Sequence, residues 1–188
     1  MAAGPPISIA FNGPASPGLH PESGGPRRRE TASSPPIGNR ERDAAWQEPI
    51  TARFEQRACD IWNIIRDFNN YSIWVRGEGT CEIEDGRTGD TVGAIRSVHF
   101  RDLHVRQRLL AQSDVERSQT YEFCGAPTLP VTDYQSTIRV SPVIDGDRAF
   151  VEWSATFDCE PGRRDELTRT LAASFEKWFE SLRDEMAD

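Results

Sequence analysis

The chain has 188 residues, 37% of them hydrophobic, and a formal net charge of -8, which suits one ordinary domain with a modest core. Its acidity repels phosphate backbones, so no nucleic-acid partner is expected. No segment approaches the roughly 20 consecutive apolar residues that span a bilayer, so stable membrane insertion is not expected either.

Residues 1–45 differ from the rest. Eight of the thirteen prolines lie between Pro5 and Pro36, among Gly, Ser and Arg. Such a composition cannot bury enough apolar area to offset its ordering entropy, and a disordered tail is expected. Arg27-Arg28-Arg29 is followed by Glu30-Thr31-Ala32-Ser33 rather than an apolar run, so it does not read as an export signal.

A folded domain is expected over residues 48–185. Ile50 to Phe54 alternates as a short strand. Ile61, Trp62, Ile64, Ile65 and Phe68 then recur at helical spacing, and Tyr71 to Trp74 reads as a second helical turn. Six strands follow: 79–84, 92–100, 105–112, 118–125, 134–141 and 149–158. They are separated by turn residues such as Asp85-Gly86 and Asp145-Gly146-Asp147, with a loop expected at Arg101 to His104. Glu160-Pro161-Gly162 breaks the last strand. From Arg164 to Glu185, Leu167, Leu171, Phe175, Trp178, Phe179 and Leu182 form one apolar helical stripe. Strands joined by tight turns are antiparallel neighbours, and one long helix is available to cover their sheet. The expected fold class is therefore α+β: a helix-grip, in which a seven-stranded curved antiparallel sheet surrounds a long C-terminal helix, with two short helices after the first strand.

Alternation sorts the strands into faces. The inward set contains Val92, Ala94, Arg96, Val98 and Phe100; Val105, Gln107, Leu109 and Ala111; Tyr121 and Phe123; Tyr134, Ser136, Ile138 and Val140; and Val151, Trp153, Ala155 and Phe157. Arg96, Gln107, Tyr121, Tyr134 and Ser136 are polar groups on an otherwise apolar face, and each needs a partner when buried. Either they satisfy one another and nearby carbonyls, or they line a small-molecule pocket. The residues expected to line it are Arg96, Val98, Phe100, Gln107, Leu109, Tyr121, Phe123, Tyr134, Ser136, Trp153, Phe157 and Phe175. His99 faces away from Arg96, and His104 falls in the expected loop. Cys59, Cys81, Cys124 and Cys159 are too scattered for a C-x-x-C pair, and three histidines give no zinc spacing. No metal and no cofactor is expected. The thiols read as free groups in a reducing cytoplasm.

Several segments together resemble the SRPBCC superfamily, in its polyketide cyclase/dehydrase and lipid-transport branch, related to START domains and pollen-allergen-like proteins. They are Ile61-Trp62-Asn63-Ile64-Ile65-Arg66-Asp67-Phe68, Gly89-Asp90-Thr91-Val92-Gly93-Ala94-Ile95-Arg96, Arg108-Leu109-Leu110-Ala111, Pro130-Val131-Thr132-Asp133-Tyr134 and Val151-Glu152-Trp153-Ser154-Ala155-Thr156-Phe157. The resemblance implies a pocket for hydrophobic molecules such as lipids, polyketides or terpenoids, and carries no shared catalytic motif. Many such relatives have Glu where this chain has Gln107, an amide that cannot take a proton. Distantly similar plant hormone receptors hold a carboxylate with a pocket lysine, whereas here the only lysine is Lys177.

The expected function is binding of a hydrophobic small molecule. The alternative is a cyclase or dehydratase using Tyr121 and Tyr134 for proton transfer and Arg96 to stabilise an enolate. A protein-interaction role would need an exposed apolar patch, and the Arg-rich outer face offers none.

Overall fold

The computed structural model describes residues 45–46, 48–75, 79–100, 103–126 and 128–187, with backbone alone for Ala45, Trp46 and Phe100. The expected tail, apart from Ala45, lies outside the described residues.

Eight strand segments form one antiparallel sheet: β1 (Ala45–Trp46), β2 (Ile50–Phe54), β3 (Thr80–Ile83), β4 (Ile95–Phe100), β5 (Leu103–Ser113), β6 (Ser118–Phe123), β7 (Thr132–Val143) and β8 (Arg148–Asp158). β1 and β2 both pair with β8, Ala45 opposite Phe157 and Ile50 opposite Trp153. They are one edge strand interrupted just before Ile50, where Pro49 has no N–H to give the ladder. The sheet thus has seven positions, running from this edge through β8, β7, β6, β5 and β4 to β3. It is curved and open, and grips a long C-terminal helix, as expected.

Two short helices connect the edges. α1 (Ala58–Ile65) buries Ala58, Ile61, Trp62 and Ile65 on one face. It is tied to the β5–β6 turn through Asp114, which accepts from Trp62 Nε1 at 2.8 Å and from Arg66 Nε and Nη2 at 3.1 and 2.9 Å. A 3-10 turn at Phe68–Asn70 leads into α2 (Tyr71–Trp74). The Asp67 carboxylate caps that turn by accepting from Asn69 N–H at 2.9 Å. Gly89 packs directly on Asp67, and its carbonyl accepts from Phe68 N–H at 3.0 Å; a Cβ on residue 89 would collide with the capping carboxylate.

α3 (Arg164–Ala187) is a 24-residue helix that opens with Asp165 and Glu166 at the positive end of its dipole. Leu167, Leu171, Phe175, Phe179 and Leu182 are buried. Each such side chain contributes about 1.5–3 kcal/mol by leaving water.

Three inward or loop assignments change. Val92 is 56% exposed, because β4 begins only at Ile95 and Gly93, at φ +87°, belongs to the preceding turn. Ala111 is exposed. The β5–β6 register passes from Leu109 opposite Tyr121 to Ala111 opposite Thr120, so Leu110 is an extra residue that reverses the face of everything after it. His104 is in strand rather than loop, since β4 and β5 pair out to Phe100 opposite Leu103.

Candidate functional site

The register gathers the inward polar residues into a band across the middle of the sheet. Arg96 lies opposite Gln107, Gln107 opposite Phe123, Tyr121 opposite Ser136, and Ser136 opposite Ala155. All five polar residues of the expected pocket are buried: Arg96, Gln107, Tyr121, Tyr134 and Ser136.

They form two joined groups. In the first, Arg96 Nε donates to Gln107 Oε1 at 2.6 Å and Nη1 to the Phe68 carbonyl at 3.3 Å. The guanidinium carbon lies 3.9, 4.2 and 4.9 Å from the ring centroids of Phe68, Tyr71 and Tyr121. Mutual pairing and a backbone carbonyl therefore satisfy part of this group. In the second, the Trp153 indole N–H is shared between Ser136 Oγ at 2.9 Å and Tyr121 Oη at 3.2 Å, and Ser136 donates onward to the Ser154 carbonyl at 2.9 Å. Tyr121 belongs to both groups.

Aromatic rings close over this band. Trp153 stacks on Phe175 with centroids 4.5 Å apart and lies 5.6 Å from Trp74 and 5.2 Å from Trp178. Phe123 stacks on Tyr134 at 4.0 Å. Val98, Leu109 and Phe157 are buried in the same core. The side chain of Phe100 is outside the described residues.

The site is electrostatically lopsided. Among the described residues no carboxylate reaches ion-pair distance of Arg96. The acidic groups that act on it most are Tyr121, Tyr71, Cys81 and Tyr134, three phenols and a thiol. Burial raises the pKa of Tyr121, with the Arg96 charge, then the hydroxyls of Ser136 and Tyr134 and the Trp153 N–H, offsetting only part of it. Burial, followed by the nearby Tyr121, holds Tyr134 well above 10. Burial lowers the pKa of Arg96, but a guanidinium stays charged in proteins. Burying one ion costs several kcal/mol. Three cation–π contacts at about 0.5–2 kcal/mol each, with two hydrogen bonds, offset this without neutralising the charge.

The expected set holds Phe175 of α3 but lacks the other helical aromatics that meet the band, Phe68, Tyr71, Trp74 and Trp178. Their aromatic character at helical spacing is the sequence signal for them, and it is the same signal that core packing gives. The histidines sit elsewhere. His99 and His104 are both exposed and stack on each other with centroids 4.2 Å apart. His104 Nε2 lies 3.0 Å from Ser97 Oγ, on the opposite side of β4 from Arg96.

A curved sheet gripping one long helix, with its polar groups gathered on the concave side, is a helix-grip domain. The polyketide cyclase/dehydrase and lipid transport family matches residues 50–187, and this chain belongs to that family. Solved structures share the fold. An uncharacterised Bacillus thuringiensis protein is 25% identical with a TM-score of 0.65, covering 74% of this chain and 98% of its own. The Bacillus cereus protein XoxI is also 25% identical with a TM-score of 0.65, covering 74% and 94%. A Thermobifida fusca protein is 23% identical with a TM-score of 0.66, covering 72% and 89%. A comparison with curated proteins finds no match. Among the described residues, no helix is long and apolar enough to cross a membrane.

Proposed function

We propose that this protein binds a hydrophobic small molecule, a lipid, polyketide or aromatic compound, between the concave face of the sheet and α3. The observation that carries this reading is the concentration of Arg96, Gln107, Tyr121, Tyr134 and Ser136 on the buried face, against the aromatic surface of Trp74, Trp153, Phe175 and Trp178. A purely structural core gains more from apolar residues of the same volume. Membership of a family described by cyclisation, dehydration and lipid transport supports the same reading. The four free cysteines support a reducing, cytoplasmic setting.

Binding without turnover is better supported than catalysis. Among the described residues, the buried polar residues outside the tyrosines are Arg96, Ser97, Gln107, Gln119 and Ser136, none of which is a carboxylate or an imidazole. With their pKa values raised, Tyr121 and Tyr134 are poor bases at neutral pH. A cyclase or dehydratase reading would use them as proton donors, with Arg96 stabilising an enolate.

The test uses Nile red, a neutral apolar dye, together with native mass spectrometry of protein purified from its host. The expected result is saturable dye fluorescence, with quenching of the Trp153 cluster, and a co-purifying mass. Absence of both dye binding and a bound mass would overturn the reading.

A further inference from the structure

Arg96 stands in the concave core with no carboxylate paired to it among the described residues. Nε and Nη1 have acceptors, Gln107 Oε1 and the Phe68 carbonyl, but both acceptors are neutral. Glutamine differs from glutamate at this position only in carrying an amide nitrogen in place of one oxygen. A glutamate at residue 107 would complete an ion pair, whereas Gln107 leaves the pair with a net positive charge. The hydrogen bonds described for Arg96 are made by Nε and Nη1. The three rings around the guanidinium stabilise a cation and supply no negative charge. Beside it, Tyr121 Oη accepts from Trp153 and has the hydroxyls of Ser136 and Tyr134 as its other partners. A planar cation whose described acceptors are all neutral, next to a phenol hydroxyl, is an arrangement that suits an oxyanion.

Resting on the container reading above, we propose that the bound molecule is acidic: its hydrophobic body carries a carboxylate, or the ionised oxygen of a phenol or enol, that pairs with Arg96 and Tyr121. The body then lies along Trp74, Trp153, Phe175 and Trp178. Arg96 selects among hydrophobic compounds by charge, and the aromatic wall supplies affinity that is indifferent to charge.

The experiment is calorimetric titration at pH 7 with two matched pairs, 2-naphthoate against 2-naphthamide and decanoate against decanol. The quantity read is the ratio of affinities within each pair. Wild-type protein is expected to favour the acid by at least about tenfold, equivalent to about 1.4 kcal/mol. In Arg96→Gln the ratio is expected to fall to about one. Gln107→Glu closes the charge from within and keeps Arg96 paired, so the fold is retained even if Arg96→Gln does not fold, and the acid preference is again expected to vanish. Equal binding of acid and neutral partners by wild type, or an acid preference that survives in Gln107→Glu, overturns the proposal and leaves the container reading standing. Failure of both members of both pairs to bind, together with failure of Nile red, removes the container reading and this inference with it.

Discussion

Glu84 joins three elements on the side of the sheet opposite Arg96. It accepts from Arg106 Nε and Nη2 at 2.7 and 2.6 Å and from Ser97 Oγ at 2.8 Å. The Arg106 hydrogen bonds, then the Ser97 bond, lower its pKa from 4.5 to about 2. A carboxylate whose pKa is depressed on folding stabilises the native state above its unfolded value, and that stabilisation is lost as pH falls toward the folded value. The pair is partly exposed, with side-chain exposures of 35% for Arg106 and 26% for Glu84, so solvent screening keeps its contribution small. Glu84→Gln is therefore expected to be less stable than wild type by a constant amount above about pH 5. The gap should close between pH 4.5 and 2. Urea unfolding across that range checks it, and a gap independent of pH would show that Glu84 acts by packing rather than by charge.

At the scale of elements, the order of strands and helices was legible because each obeys one dominant period. β8 alternates without a fault, burying Ala149, Val151, Trp153, Ala155 and Phe157, and α3 repeats at three and four. The candidate site was legible where strict alternation held, at Arg96, Gln107, Tyr121 and Ser136. It failed after Leu110, because a bulge changes parity without changing composition. It failed again at Phe68, Tyr71 and Trp74, whose part in the site depends on α1 and α2 crossing the concave face, which no local period encodes. α3 offers a direct test of how the sheet is held closed. Phe179 is 1% exposed and meets Phe54 of the edge strand β2 edge-on at 6.2 Å and Trp153 at 5.8 Å. Phe179→Ala opens a cavity where helix, edge strand and β8 meet, and should cost about 3–5 kcal/mol in denaturant unfolding. Its exposed neighbour Glu180, changed to Ala, should stay within about 0.5 kcal/mol of wild type.

At the scale of the whole chain, the question is how much of it the fold needs. Every sheet pairing described lies at or beyond Ala45, and the buried core begins at Ala52. The unit Arg42–Asp188 is compact by its contacts. Residues 1–41 hold eight of the thirteen prolines and few large apolar side chains, a composition that supplies little burial to repay ordering. Removing them should then leave the unfolding equilibrium almost untouched. For a domain of this size 1 kcal/mol moves Tm by roughly 2–4 °C, so a chain reduced to residues 42–188 is expected to melt within about 2 °C of the full-length protein and to bind Nile red with the same affinity. A fall of more than about 5 °C would mean that the N-terminal segment covers apolar surface of the domain. A change in dye affinity at constant Tm would instead place that segment at the ligand site. The two readouts separate a stabilising role from a gating one, because lost burial lowers Tm whether or not dye is present, whereas contact with the ligand alone leaves the empty protein's melting point where it was.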